Sequence, residues 1–417
     1  MAVLAKIIML LSLVATSLAA RSAQAQGADF SSLSLRQAVD RAIERNPVVV
    51  ESMLEQRRAQ GAADGVVGIL SDNPVLSVEG GVRRDQGWSG YQNSLGLRVE
   101  QPIDLLGQAT ARRRAAGDIV SWAQARLALA RAEIAARAHL AYVAAQVTRT
   151  RIALCQERVA TARQTAETLQ MRVRLGASSD IDLHMALAES GRAEAALQDA
   201  QALSTRTRLA LRDLLELPAR AGVMPSESLA PPPATLPEHG GHGPLLVHHL
   251  SVQAVEKRRL AIDGKIARLE RERLPRLSIG FAAERASDQE RFYGIGLSIS
   301  PALWRRNQGP LAEARVERER AEFEKATTLA GLERRWVSLA EEQALRLREL
   351  AAVEGTLRDE EAVRALVRVG WQAGKFDFLR MLLAERSVAD TKQTRLDLWA
   401  DLWTNVIEMN RLLGQEP

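Results

Sequence analysis

The chain has a single cysteine, Cys155, in 417 residues, which excludes an internal disulfide. Beyond residue 25 no run approaches 18 consecutive apolar residues, which excludes helical membrane spans in that part of the chain. Proline is absent from 103–217 and from 311–416, and glycine is sparse there, so little in either segment breaks a helix. No phosphate-binding loop, metalloprotease motif or nucleophile–base spacing occurs. His139 and His184 stand alone inside helical runs. The expectation is no catalytic residue, no cofactor and no enzyme. Neither sign of charge dominates, with 56 Lys+Arg against 51 Asp+Glu. The arginines are scattered among glutamates, as on a solvated coiled-coil surface, and do not suggest nucleic acid as a partner.

What is present begins with a leader. Lys6 precedes the apolar run "IIMLLSLVATSLAA", and "AQA" follows at 23–25. That order reads as a secretory signal over 1–25, cleaved after Ala25, and implies export. The proline-free segments are rich in Ala, Leu, Arg, Glu and Gln, the strong helix formers. In the first, Leu127, Ala130, Ile134, Ala138, Ala141, Ala145, Thr148, Ile152 and Cys155 recur at a mean step of 3.5 residues. This spacing predicts a narrow coiled-coil seam. From Leu105 to Leu175 a continuous helix is on the order of 100 Å long.

A second periodicity precedes each helical segment. "PVLSVEGGV" (74–82) and "NSLGLRVEQP" (93–102) alternate apolar with small or polar residues, placing Leu95, Leu97 and Val99 on one face. "PRLSIGFAAE" (275–284) and "YGIGLSISP" (293–301) do the same, with Ile295, Leu297 and Ile299. Period two over about nine residues fits membrane β-strands. It also fits a soluble hairpin packed on a helix. Four strands are too few for a membrane barrel, which needs about eight, and an open edge is not tolerated in lipid. Membrane strands therefore require several chains to pool them.

The chain thus reads as a signal (1–25) and a first repeat (26–217: helix, hairpin 74–102, long helices 105–217). A Pro/Gly-rich linker follows (218–243), then a second repeat (244–417: helix, hairpin 275–301, long helices 311–414). An offset of 198 carries Gly176 in "RLGASSDIDLHMALAES" onto Gly374 in "QAGKFDFLRMLLAERS". Near the linker, His239, His242, His248 and His249 cluster, but the HGGH spacing matches no strong ligand signature, so no metal site is expected.

Together these features resemble the TolC-type outer membrane efflux proteins, over 33–217 and 244–414. "LSLRQAVDRAIERNP" (33–47) resembles that family's opening helix. "GLRVEQPIDLLGQATARRRAA" (96–116) and "GLSISPALWRRNQGPLAEARVERERAE" (296–322) resemble its strand-to-helix transitions. The "RRNQG" form (305–309) is most similar to the branch serving cobalt–zinc–cadmium pumps.

The resemblance implies a mainly α fold with a small β part. It further implies a homotrimer in the outer membrane lipid of a Gram-negative bacterium, with a twelve-stranded barrel and a periplasmic helical tunnel. Gly176 and Gly374, with Arg174 and Lys375 beside them, would lie at periplasmic tips that dock an adaptor protein. Asp182 matches a position that lines the family's aperture. The second repeat has Arg380 there, which departs from an all-acidic ring and suggests Asp182–Arg380 pairing as the gate. The function implied is a passive conduit for an RND-type heavy-metal pump of the inner membrane. A multidrug channel, a type I secretion channel and a periplasmic coiled-coil scaffold are the other readings.

Overall fold

The computed structural model describes residues 32–66, 69–70, 72–84, 91–233, 246–286, 291–304 and 306–414. The signal segment, His239 and His242 lie outside them. Helix α1 (Leu35–Arg45) opens on a capping box, in which Ser34 accepts from Gln37 N–H and Gln37 reaches back to Ser34. Asn46 then ends α1 and caps α2 (Pro47–Asp64), where Pro47 takes the first-turn position that has no use for an N–H.

Strands β1 (Val75–Arg84) and β2 (Tyr91–Ile103) lead into α3 (Gln108–Arg174), 67 residues or about 100 Å long. Helix α4 (Asp180–Leu214) returns along it. After the linker come α5 (Leu250–Arg271), β3 (Arg276–Ala286), β4 (Arg291–Ser300), α6 (Gln308–Gln372) and α7 (Phe378–Leu413), the last antiparallel to α6. The fold is mainly α with one small sheet.

Both long helices start the same way. Gly107 and Asn307 hold left-handed φ values of 87° and 56°. Just after each, a glutamine side chain accepts a backbone N–H: Gln108 from Leu106, and Gln308 from Arg306, both at 3.0 Å. Asn307 also donates to the Leu269 carbonyl at 3.1 Å, anchoring this turn to α5. Helix α6 begins three residues before the proline-free segment, because Pro310 sits in its first turn, where N–H groups lack helical partners.

The four strands form one antiparallel sheet in the order β1-β2-β3-β4, with β1 and β4 at its edges. Leu76, Val99, Phe281 and Ile295 share one cross-strand row; Val78, Leu97, Ala283 and Tyr293 share the next.

The expected single seam on α3 is too narrow. Ala135, Ala136, Ala138, His139, Tyr142, Val143, Ala145, Gln146, Val147 and Thr148 are all buried, so this stretch is covered on several faces. Leu33, α1, α2 and Leu211–Val223 cover one side, and Leu396 and Ile407 of α7 cover another. Tyr142 donates from its hydroxyl to the Leu33 carbonyl at 2.9 Å, satisfying the one polar atom this ring buries. Ile152 and Cys155, nearer the glycine turn, are only half-buried.

Candidate functional site

The helical segment ending in Arg172-Val173-Arg174-Leu175 stops because Gly176 takes φ 69°, where a side chain would clash with its own backbone. Ala177 N–H reaches the Arg172 carbonyl at 2.7 Å and Gly176 N–H reaches Val173 at 2.9 Å, which together cap the helix end. Gly374, at φ 72°, repeats this: Lys375 N–H bonds to Gly370 at 2.8 Å and Gly374 N–H to Trp371 at 3.1 Å. Ser179 then caps α4, and Asp377, 198 residues later, caps α7.

The two turns stand side by side within one chain. Leu169 and Ala186 of the first hairpin bury against Trp371, Phe378, Met381 and Leu382 of the second. Arg172 lies over the Trp371 ring, 4.3 Å from its centroid, and donates to the Trp371 carbonyl at 3.4 Å. Around this core the surface is apolar, with Leu175 82% and Ile181 71% exposed. Arg174 and Lys375 are exposed beside the turns.

Asp182 and Arg380 occupy matching third positions of their helices but do not meet within the chain. The Asp182 carboxylate accepts from Ser178 Oγ at 3.1 Å and from Ser179 N–H at 3.4 Å, completing the α4 capping box. The Arg380 guanidinium lies 5.1 Å from the centroid of the Phe376 ring.

About two turns beyond Asp182, further from the tip, stands a group that pattern reading missed. Glu189 is buried, and accepts from Arg158 of α3 at 2.7 Å and from Arg386 of α7 at 2.9 Å. Burial alone would raise the pKa of its carboxyl, but the hydrogen bonds and charges of Arg158 and Arg386 outweigh this and hold it below the usual carboxylate range. The signal was a charge inside a small-residue seam, since Ala186, Glu189, Ala193 and Ala200 all lie on the buried face of α4.

At the other end of the long helices, the sheet has two chemically distinct faces. One carries Leu76, Val78, Leu95, Leu97, Val99, Ile279, Phe281, Ile295, Leu297 and Ile299, all exposed. The opposite face carries Ser77, Glu79, Arg98, Glu100, Ser278, Glu284 and Ser298, interleaved with Gly280, Gly294 and Gly296. Ser298 donates to Glu100 there.

Among the described residues no group of three or more His, Cys, Asp or Glu could hold a metal ion. His249 caps α5 by accepting from Ser251 N–H at 3.2 Å, and burial lowers its pKa. His139 is buried, with its pKa lowered by burial and its ring centroid 6.3 Å from that of Trp403. Among the described residues no helix is long and apolar enough to cross a membrane.

Comparison with known proteins agrees with this geometry. Residues 38–216 match the family model for outer membrane efflux proteins. The chain is 27% identical, over 326 residues and 75% of each protein, to the cobalt-zinc-cadmium resistance protein CzcC of Cupriavidus metallidurans. Its fold matches CusC with a TM-score of 0.75, at 16% identity and over 93% of both chains. It also matches the open-state outer membrane channel MtrE of Neisseria gonorrhoeae with a TM-score of 0.74, at 18% identity, over 92% of this chain and 89% of that one.

Proposed function

We propose that this chain, whose residues 38–216 match the family model for outer membrane efflux proteins, is the outer membrane channel of a tripartite heavy-metal efflux system. The reading is carried by the sheet. Its apolar face is continuous across four strands, and its edges at β1 and β4 lack partners within the sheet. Three copies pooling four strands each close a twelve-stranded barrel and remove both edges, as a bilayer requires. The long helices, about 100 Å each, continue the barrel as a tunnel through the periplasm. The chain contributes two repeats, 26–217 and 244–417, joined by a linker at 218–243, so a trimer presents six tips.

The exposed apolar surface around Gly176 and Gly374, with Arg174 and Lys375, docks a periplasmic adaptor. An inner-membrane RND-type pump supplies the energy, and the channel conducts without catalysis. The likeness to CzcC supports cobalt, zinc or cadmium ions as cargo. Deleting the gene should raise cellular zinc, cadmium or cobalt and lower resistance to them, and the wild-type gene should restore both. Sensitivity to organic antibiotics alone would remove the heavy-metal assignment and leave the channel.

Asp182 and Arg380 form the aperture lock, pairing between tips of neighbouring copies. Each pair contributes only about 0.2–1 kcal/mol when exposed to water. In planar bilayers Arg380→Asp should raise the basal open fraction, and adding Asp182→Arg should restore closure. Unchanged conductance in Arg380→Asp would remove these residues from the gate.

A further inference from the structure

We propose that the apolar face of the sheet ends in a binding site for phosphate groups of outer-leaflet lipid, built on Arg285 and Arg291. The inference rests on the sheet standing in the outer membrane, as proposed above. The β3–β4 register sets these two arginines directly opposite each other, with Cβ atoms about 4.5–5.5 Å apart. Both are exposed, and neither forms an ion pair among the described residues; Asp288 and Glu290, in the connection between them, lie outside those residues. Like charges so placed repel and weaken the strand pair. The acids of the sheet, Glu79, Glu100 and Glu284, lie on the opposite face by register and do not neutralise them.

Depth identifies the ligand. On the same face, four successive apolar rows separate the pair from the helical end of the sheet: Leu277/Ile299, Ile279/Leu297, Phe281/Ile295 and Ala283/Tyr293. From residue 277 to 285 is about 27 Å along the strand, or about 20 Å of height at a barrel tilt of 35–45°. That nearly crosses an apolar band about 25 Å tall. Tyr293, one row below and 64% exposed, sits where a ring meets the membrane interface. The helices leave from the other end, so the arginines lie at headgroup level of the outer leaflet. Two guanidinium forks on adjacent strands match the oxygens of a phosphate ester, and an anion between them relieves their repulsion.

The test is thermal unfolding of the purified trimer in detergent, with lipopolysaccharide, dephosphorylated lipopolysaccharide or sodium phosphate added. Lipopolysaccharide should raise the wild-type midpoint by several degrees, and the dephosphorylated form should not. The double variant Arg285→Gln/Arg291→Gln should lose the shift, and Arg285→Lys/Arg291→Lys should keep part of it. If the double Gln variant does not assemble, Arg291→Gln alone should lose at least half of the shift. A shift that survives these Gln substitutions, or an equal shift with dephosphorylated lipid, overturns the site. An equal shift with sodium phosphate makes it a free-anion site and overturns the lipid assignment. Size measurement of each sample separates these outcomes from failure of the channel reading, which would show as wild-type protein that does not form a trimer.

Discussion

Arg386 donates through both Nε and Nη2 to one carboxylate oxygen of Glu189, while Arg158 donates to the other. One buried carboxylate therefore joins α3, α4 and α7, and ties the two helical hairpins of a chain together. Glu189→Gln keeps the shape but removes the charge, leaving the guanidinium groups of Arg158 and Arg386, and that of Arg192 at 3.5 Å, facing an amide. It should destabilise the protein by about 1–3 kcal/mol. Glu194→Gln is the control, because its pair with Arg163 is about half exposed and should contribute less than about 1 kcal/mol. Thermal or denaturant unfolding of the two variants checks the difference.

The same site sets a pH dependence. The native pKa of Glu189 is depressed, so its stabilisation is present above the unfolded value of about 4.3 and is lost as pH falls through the lower native value. The stability deficit of Glu189→Gln should stay constant from about pH 8 to pH 5 and shrink only below about pH 4. Unfolding of both proteins across that range measures it.

The sheet predicts an asymmetry between its faces. Ile295→Arg places a charge in the middle of the apolar face, which in the proposed trimeric barrel costs about 2–4 kcal/mol per site in mid-bilayer and is incurred three times. Assembly should fail, and Leu97→Arg should do the same. Ser298→Arg lies on the other face beside Glu100, which offers the new guanidinium a partner. Trimer yield in mild detergent distinguishes the faces.

Much of the architecture was legible because its signals are local. The alternation around Leu97 and Ile295 follows from the two-residue strand repeat, and the proline-free runs follow from helix chemistry. The pairing of β2 with β3 was not legible, since Ser94 pairs with Ala286, 192 positions further along the chain, and no local pattern reports a contact at that separation. Nor was the broad burial of α3 around Tyr142, because a periodicity reports one partner and this helix has several. At the tips, the glycines were visible, but the use of Asp182 as a cap and the stacking of Arg172 on Trp371 depend on how the helices meet.

Gly176 and Gly374 separate backbone strain from crowding, since a Cβ at either would meet nothing within 4 Å. Replacement by Ala should therefore cost about 1–2 kcal/mol per site through the positive φ alone. Asn, which tolerates that conformation, should cost less, and Val more. Unfolding of the four single Ala and Asn variants, with adaptor binding measured in parallel, tests the turns.

The most direct test of a pooled membrane channel is the mass of the protein particle extracted from the outer membrane in mild detergent. A pooled barrel should not be released by salt, and its particle should contain three chains. A monodisperse, water-soluble monomer would contradict it.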